Sequence, residues 1–137
     1  MRIEEECKKA LRRGLALLPR AADLHHALGL LLVRDGDKAG ALKELGAAVK
    51  LAPESARYAY VYAIGLHFAG KREAALAGLR AASARNPYDL DILGALVAMN
   101  REAGHPKAAR PYARKLAEVL IEDPAVKRLL GELDDAD

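Results

Sequence analysis

The side chains in this 137-residue chain that could do chemistry are few, and their spacing is wrong for it. His25 and His26 are neighbours, so on a helix they project from different faces. They cannot close on one metal ion as a pair four residues apart could. Cys7 is the only cysteine, which excludes an internal disulfide and a thiolate zinc cluster. The chain has no glycine-rich phosphate loop, no Gly-x-Ser-x-Gly elbow and no His-Glu-x-x-His helix. These residues point away from an enzyme and toward a chain that needs no metal and no cofactor.

The spacing that does recur belongs to structural residues. Gly36, Gly70 and Gly104 stand 34 residues apart, as do Pro19, Pro53 and Pro87, and Ala41, Ala75 and Ala109. A fixed period of that length is the mark of a helix–turn–helix unit stacked into a solenoid. Composition agrees, since strong helix formers dominate and aromatic residues make up only 4%. The net charge of +3 permits acidic partners without demanding them. Met1 to Glu6 contains no apolar run, so these residues form no signal peptide. The longest apolar stretch, Ala27 to Val33, is too short to cross a bilayer. Cytoplasm and periplasm both stay open.

Within a unit, Leu24, Leu28, Leu31 and Leu32 give one apolar stripe, and Gly29 between them allows a neighbouring helix to come close. Arg34-Asp35-Gly36-Asp37 predicts a turn, with Gly36 supplying positive φ. A second helix follows from Lys38 through Leu45 to Leu51 and stops before Pro53. The same plan predicts helices over 57–69 and 72–85, then 88–103 and 106 to about 122. Pro111 falls inside the last of these, and Pro124 predicts that it ends one turn late.

These residues resemble the tetratricopeptide repeat family, whose pattern is Trp-x2-Leu-Gly-x2-Tyr, a Gly turn, Ala-x3-Phe, Ala and a closing Pro. The first unit carries His25, Leu28, Gly29, Leu32, Gly36, Ala41, Leu45, Ala48 and Pro53 at those places. The second carries Ala59, Tyr62, Ala63, Leu66, Gly70, Ala75, Leu79, Ala82 and Pro87. The third carries Leu93, Leu96, Val97, Asn100, Gly104, Ala109 and Ala113. The resemblance implies an all-α fold, a right-handed superhelix of antiparallel helix pairs with about eight helices. It divides a single domain, 1–137, into a half repeat at 3–18, repeats at 22–55, 56–89 and 90–123, and a solvating helix at 124–133. The acidic tail Asp134, Asp135 and Asp137 would keep that end soluble.

A leading half repeat suggests a slice of a longer bacterial protein. It also suggests a homodimer through Leu11, Leu15 and Leu18, which would lie partly uncovered. Cys7 aligns with Ala41 and is expected to be a small packing residue.

In tetratricopeptide arrays the first helix of each pair lines a concave groove. Helical periodicity then selects the groove-facing residues: His26, Leu30 and Arg34; Arg57, Tyr60, Ile64, His67 and Phe68; Asp91, Ala98 and Arg101. Tyr60, Ile64 and Phe68 form an apolar strip beside the basic groups Arg34, Arg57, His67 and Arg101. Such a groove fits a peptide or helix with an apolar anchor next to carboxylates. The family's chaperone-tail clamp is absent, because its Lys and Asn sites carry His26, Leu30, Asp91 and Ala98.

The leading expectation is therefore a non-catalytic protein–protein interaction scaffold. Two alternatives stand beside it. Arg12, Arg80 and Arg114, with Arg13, Lys43, Lys50 and Lys115, could hold nucleic acid or an anionic surface on the convex side, although no aromatic residues interleave there for base stacking. The chain could also be an accessory domain of an enzyme. The stretches Leu24 to Gly29 and Tyr58 to Tyr62 resemble repeat regions that follow bacterial multihaem cytochrome domains, but no Cys-x-x-Cys-His attaches haem here.

Overall fold

The structure is a computed structural model and describes residues 2–136, so Asp137 of the acidic tail lies outside the described residues. Among the described residues eight helices follow one another: α1 (Arg2–Leu17), α2 (Ala22–Arg34), α3 (Lys38–Leu51), α4 (Ala56–Phe68), α5 (Arg72–Arg85), α6 (Leu90–Glu102), α7 (Pro106–Val119) and α8 (Pro124–Asp135). No strand occurs among the described residues. The helices α2, α4, α6 and α8 begin at 34-residue intervals, and so do α3, α5 and α7.

Local chemistry sets this metre. Gly36, Gly70 and Gly104 adopt φ of 81°, 81° and 78° at the ends of α2, α4 and α6. The amide after each glycine returns to a carbonyl five residues back: Asp37 to Leu32, Lys71 to Leu66 and His105 to Asn100. This is the Schellman stop, which favours glycine because a side chain at positive φ is strained. The starts are fixed by side-chain caps. Asp37, Ser55, Asp89 and Asp123 each accept a hydrogen bond from a first-turn amide.

The chain forms two compact units, Met1–Ala75 and Leu76–Asp137. In the first, α2 and α3 form the tightest pair, and α1 and α4 pack against them. Leu28, Leu32 and Ala41 make its core, with Leu11 and Leu15 of α1 packed on it. The expectation for Gly29 holds: a β-carbon there would stand 2.7 Å from Leu45 Cγ and 3.2 Å from its backbone nitrogen. Lys8 is buried and paired with Glu5 and Asp35, which fastens α1 to the turn after α2.

In the second unit, Leu93 and Val97 of α6, Ala109, Ala113 and Leu116 of α7, and Val126 and Leu133 of α8 share one core. Arg110 caps the C-terminus of α8: its Nε and Nη2 donate to the Leu133 carbonyl at 2.8 and 2.6 Å.

Two expectations are corrected. α7 does not run one turn long; it stops at Val119, in step with α3 and α5. The chain turns at Glu122, which takes φ 67° without being glycine, and Asp123 then caps α8 with Pro124 in its first turn. Cys7 is exposed rather than packed. Its aligned residue Ala41 is covered by α2, but no described helix occupies the matching place before α1.

Candidate functional site

The sequence-selected residues fall into two groups by unit. In the first unit, α2 and α4 flank α3, and a cleft of about 400 Å³ opens between them. Leu30 and Val33 come from α2, and Tyr60, Ile64 and Phe68 from α4. Ala41, Leu42 and Leu45 of α3 and Val61 and Gly65 of α4 add to its apolar lining. The three α4 residues recur every four positions and therefore share one face. Tyr60 and Ile64 are half-buried and remain open to solvent, while Phe68 is 78% exposed. An exposed phenylalanine beside an apolar concavity costs hydration free energy that a ligand would recover.

Close packing shapes this cleft. A β-carbon on Gly65 would come within 3.2 Å of Leu42 Cδ2, so glycine there lets α4 settle against α3. Lys38, at the start of α3, lines the opening, and Arg57 is exposed one turn before Tyr60. Arg34 is exposed but pairs with Glu4 of α1 at 3.5 Å. His67 is half-buried, edge-on to Phe68 with ring centroids 5.8 Å apart.

His26 does not stand in the groove as an open side chain. It is 7% exposed and stacked on Tyr58 of α4, with centroids 4.5 Å apart. Neither ring nitrogen has a hydrogen-bond partner. Burial, and next the positive charge of Arg57, push this imidazole below its ordinary value. Its neighbour His25 behaves oppositely. His25 Nδ1 lies 2.8 Å from Glu44 of α3, and Nε2 lies 2.9 Å from the Pro19 carbonyl. Burial opposes the charged ring there, but the Pro19 carbonyl and the Glu44 carboxylate outweigh it and raise the value. His25 thus packs against the second helix of its repeat, as its register implies.

The second unit carries Asp91, Ala98 and Arg101 on α6, all exposed. Arg101 is not a spare cation: its Nη2 donates to Glu132 of α8 at 2.9 Å. Of the basic residues weighed for an anionic partner, Arg12, Arg80 and Arg114 are exposed, and Arg114 approaches Asp134 at 4.0 Å. No group of three metal-binding side chains occurs among the described residues, and no described helix is long and apolar enough to cross a membrane.

Periodicity alone misses Leu42, because assigning the groove to first helices ignores the second helix beneath, and it misses Gly65 of α4, which lies one residue off the line of Tyr60, Ile64 and Phe68. The signal was present in the small residues of the pattern, since a glycine facing a leucine across two helices marks close approach.

No protein-family model matches the sequence, and no curated protein matches it. Solved structures do. The fold is similar to that of MamA, with 19% identity, a TM-score of 0.80, and coverage of 98% of this chain and 75% of MamA. Another MamA structure gives 20% identity, a TM-score of 0.78, and coverage of 92% and 74%. A tetratricopeptide repeat protein from Parabacteroides merdae ATCC 43184 gives 17% identity, a TM-score of 0.81 and 93% coverage of this chain. The chain spans about half of that protein, 52%. With the glycine stops, the 34-residue metre and the antiparallel pairs, these likenesses establish that the chain has the tetratricopeptide-repeat fold.

Proposed function

We propose that the chain is a non-catalytic interaction module, in which the α2–α4 cleft holds a peptide or helix bearing an apolar anchor beside carboxylates. One observation carries this reading: an open cleft of about 400 Å³ is lined by Leu30, Val33, Tyr60, Ile64 and Phe68. A volume of that order suits one or two large side chains of a ligand. Lys38 at its mouth and Arg57 nearby favour carboxylates in the flanking ligand sequence. Fold analogy adds weight of a general kind, since tetratricopeptide folds commonly present surfaces to other polypeptides. On this reading residues 1–137 work as one repeat array, with the first unit supplying the anchor site.

A random peptide display library selected against the intact chain tests the proposal. Enriched sequences should share one large apolar residue with aspartate or glutamate close by. Tyr60→Ala should weaken those peptides about tenfold, as truncation of an aromatic anchor does. Arg57→Glu should shift selection away from acidic sequences. Equal recovery of the same peptides by a chain carrying both changes would remove the cleft from consideration.

A further inference from the structure

α1 presents an apolar seam that its own unit leaves uncovered. Ile3, Ala10 and Leu17 recur every seven residues, so they align along one side of the helix. Ile3 is 78% and Leu17 81% exposed, and Ala10 is exposed between them. Leu11 and Leu15 pack on the core of Leu28 and Leu32 yet stay half-buried, and Leu18 is 61% exposed, so all three are partly uncovered as the sequence pattern suggested. Ile3, Ala10 and Leu17 add a second open line beside that set.

We propose that this seam is a two-fold interface with a second copy of the chain, α1 lying antiparallel on α1 with Ala10 on the axis. In that register Ile3 of each copy meets Leu17 of the other, at the two ends of a seam about 21 Å long. The small residues Cys7 and Ala10, both exposed, fall in the middle and let the helices approach, while Gly14 is turned toward Leu24 of α2.

Charge identifies the occupant. α1 is acidic at its start (Glu4, Glu5, Glu6) and basic further on (Lys9, Arg12, Arg13). Only an antiparallel copy sets these halves against their opposites, whereas a parallel copy sets like against like. Glu4 and Glu5 are already engaged, with Arg34 and Lys8. Among the described residues Glu6 pairs with Lys9 at 3.9 Å, and Arg13 is exposed on the same flank. Across the axis, each Glu6 reaches Arg13 of the second copy, giving two symmetric pairs.

The corresponding surface of α3 differs. Glu44 stands where α1 has Ala10, and it binds His25 of the helix before it. α1 has an apolar residue there, so its seam suits another apolar seam. Cys7 lies three residues off the axis, which separates the two thiols by about 9 Å along the pair. That exceeds disulfide reach, so the dimer forms equally under reducing conditions.

Analytical ultracentrifugation of the full chain over a concentration series tests this. Four turns make a small interface, so dimer should build up in the micromolar to sub-millimolar range. Ile3→Glu and Leu17→Glu should each abolish it without changing the helical circular dichroism. Glu6→Arg or Arg13→Glu alone should weaken association, and the two changes in one chain should restore it. In a Cys7→Ser background, Ala10→Cys should cross-link on mild oxidation, while Ala16→Cys on the opposite side should not. A strict monomer, a dimer indifferent to Ile3→Glu, or equal cross-linking at both positions would each overturn the interface.

Discussion

The first helices of the two units share a backbone register and present opposite surfaces. Leu30 and Ile64 in the first unit stand where the second has Ala98, and Tyr60 stands where it has Gly94. The first set walls an apolar cleft. In the second, a β-carbon on Gly94 would meet nothing within 4 Å, and Arg101 is occupied by Glu132. The metre of the repeat therefore builds the scaffold, while residues it leaves unconstrained decide which surface is apolar and concave. This contrast can be broken or sharpened by substitution.

The largest effect should separate the two surfaces directly. Ile64→Glu places a charge in the cleft wall and should weaken any cleft-selected peptide about 30-fold or more, the scale of a lost hot spot. Ala98→Glu, at the matching position of α6, should leave that affinity unchanged by isothermal titration calorimetry. Next come the glycines. Gly29→Ala drives a methyl into Leu45 and should cost about 1–3 kcal/mol in urea unfolding. Gly94→Ala, in open space on a helix, should gain up to about 1 kcal/mol.

The adjacent histidines give opposite signs with pH. The folded-state value of His26 is lowered, so its contribution is present above about pH 6.5 and is lost as pH falls through the depressed value. His26→Phe keeps a ring against Tyr58 and should stabilise the chain, more so in acid than at neutral pH. The folded-state value of His25 is raised, so its contribution is full below about pH 6.5 and fades as pH rises through the elevated value. His25→Gln should therefore cost stability in acid and little in alkali, seen in thermal melts across pH. The smallest effect belongs to Arg101→Gln. Its pair with Glu132 is about half exposed and should contribute no more than about 0.5 kcal/mol, vanishing in high salt.

Much of the fold was legible because its determinants are local. Gly36, Gly70 and Gly104 stop helices by φ alone, and Asp37, Ser55 and Asp89 start them by one hydrogen bond. The end of α7 was misread because Glu122 makes its turn with no glycine to announce it. The site was legible on α4, where Tyr60, Ile64 and Phe68 follow one helical face. It was not legible at His26, because its stacking on Tyr58 depends on how two helices lie together. Cys7 shows the limit of alignment by period: matching Ala41 implies burial only where a covering helix exists.

Lys8 gives the first unit a mechanical character of its own. Its ammonium moors Asp35, the residue just before Gly36, and Gly36 and Lys38 form part of the cleft's lip. Peeling α1 away would strand that carboxylate and slacken the lip at the same moment. Whatever grips α1 from outside and whatever sits in the cleft would then be pulling on the same knot.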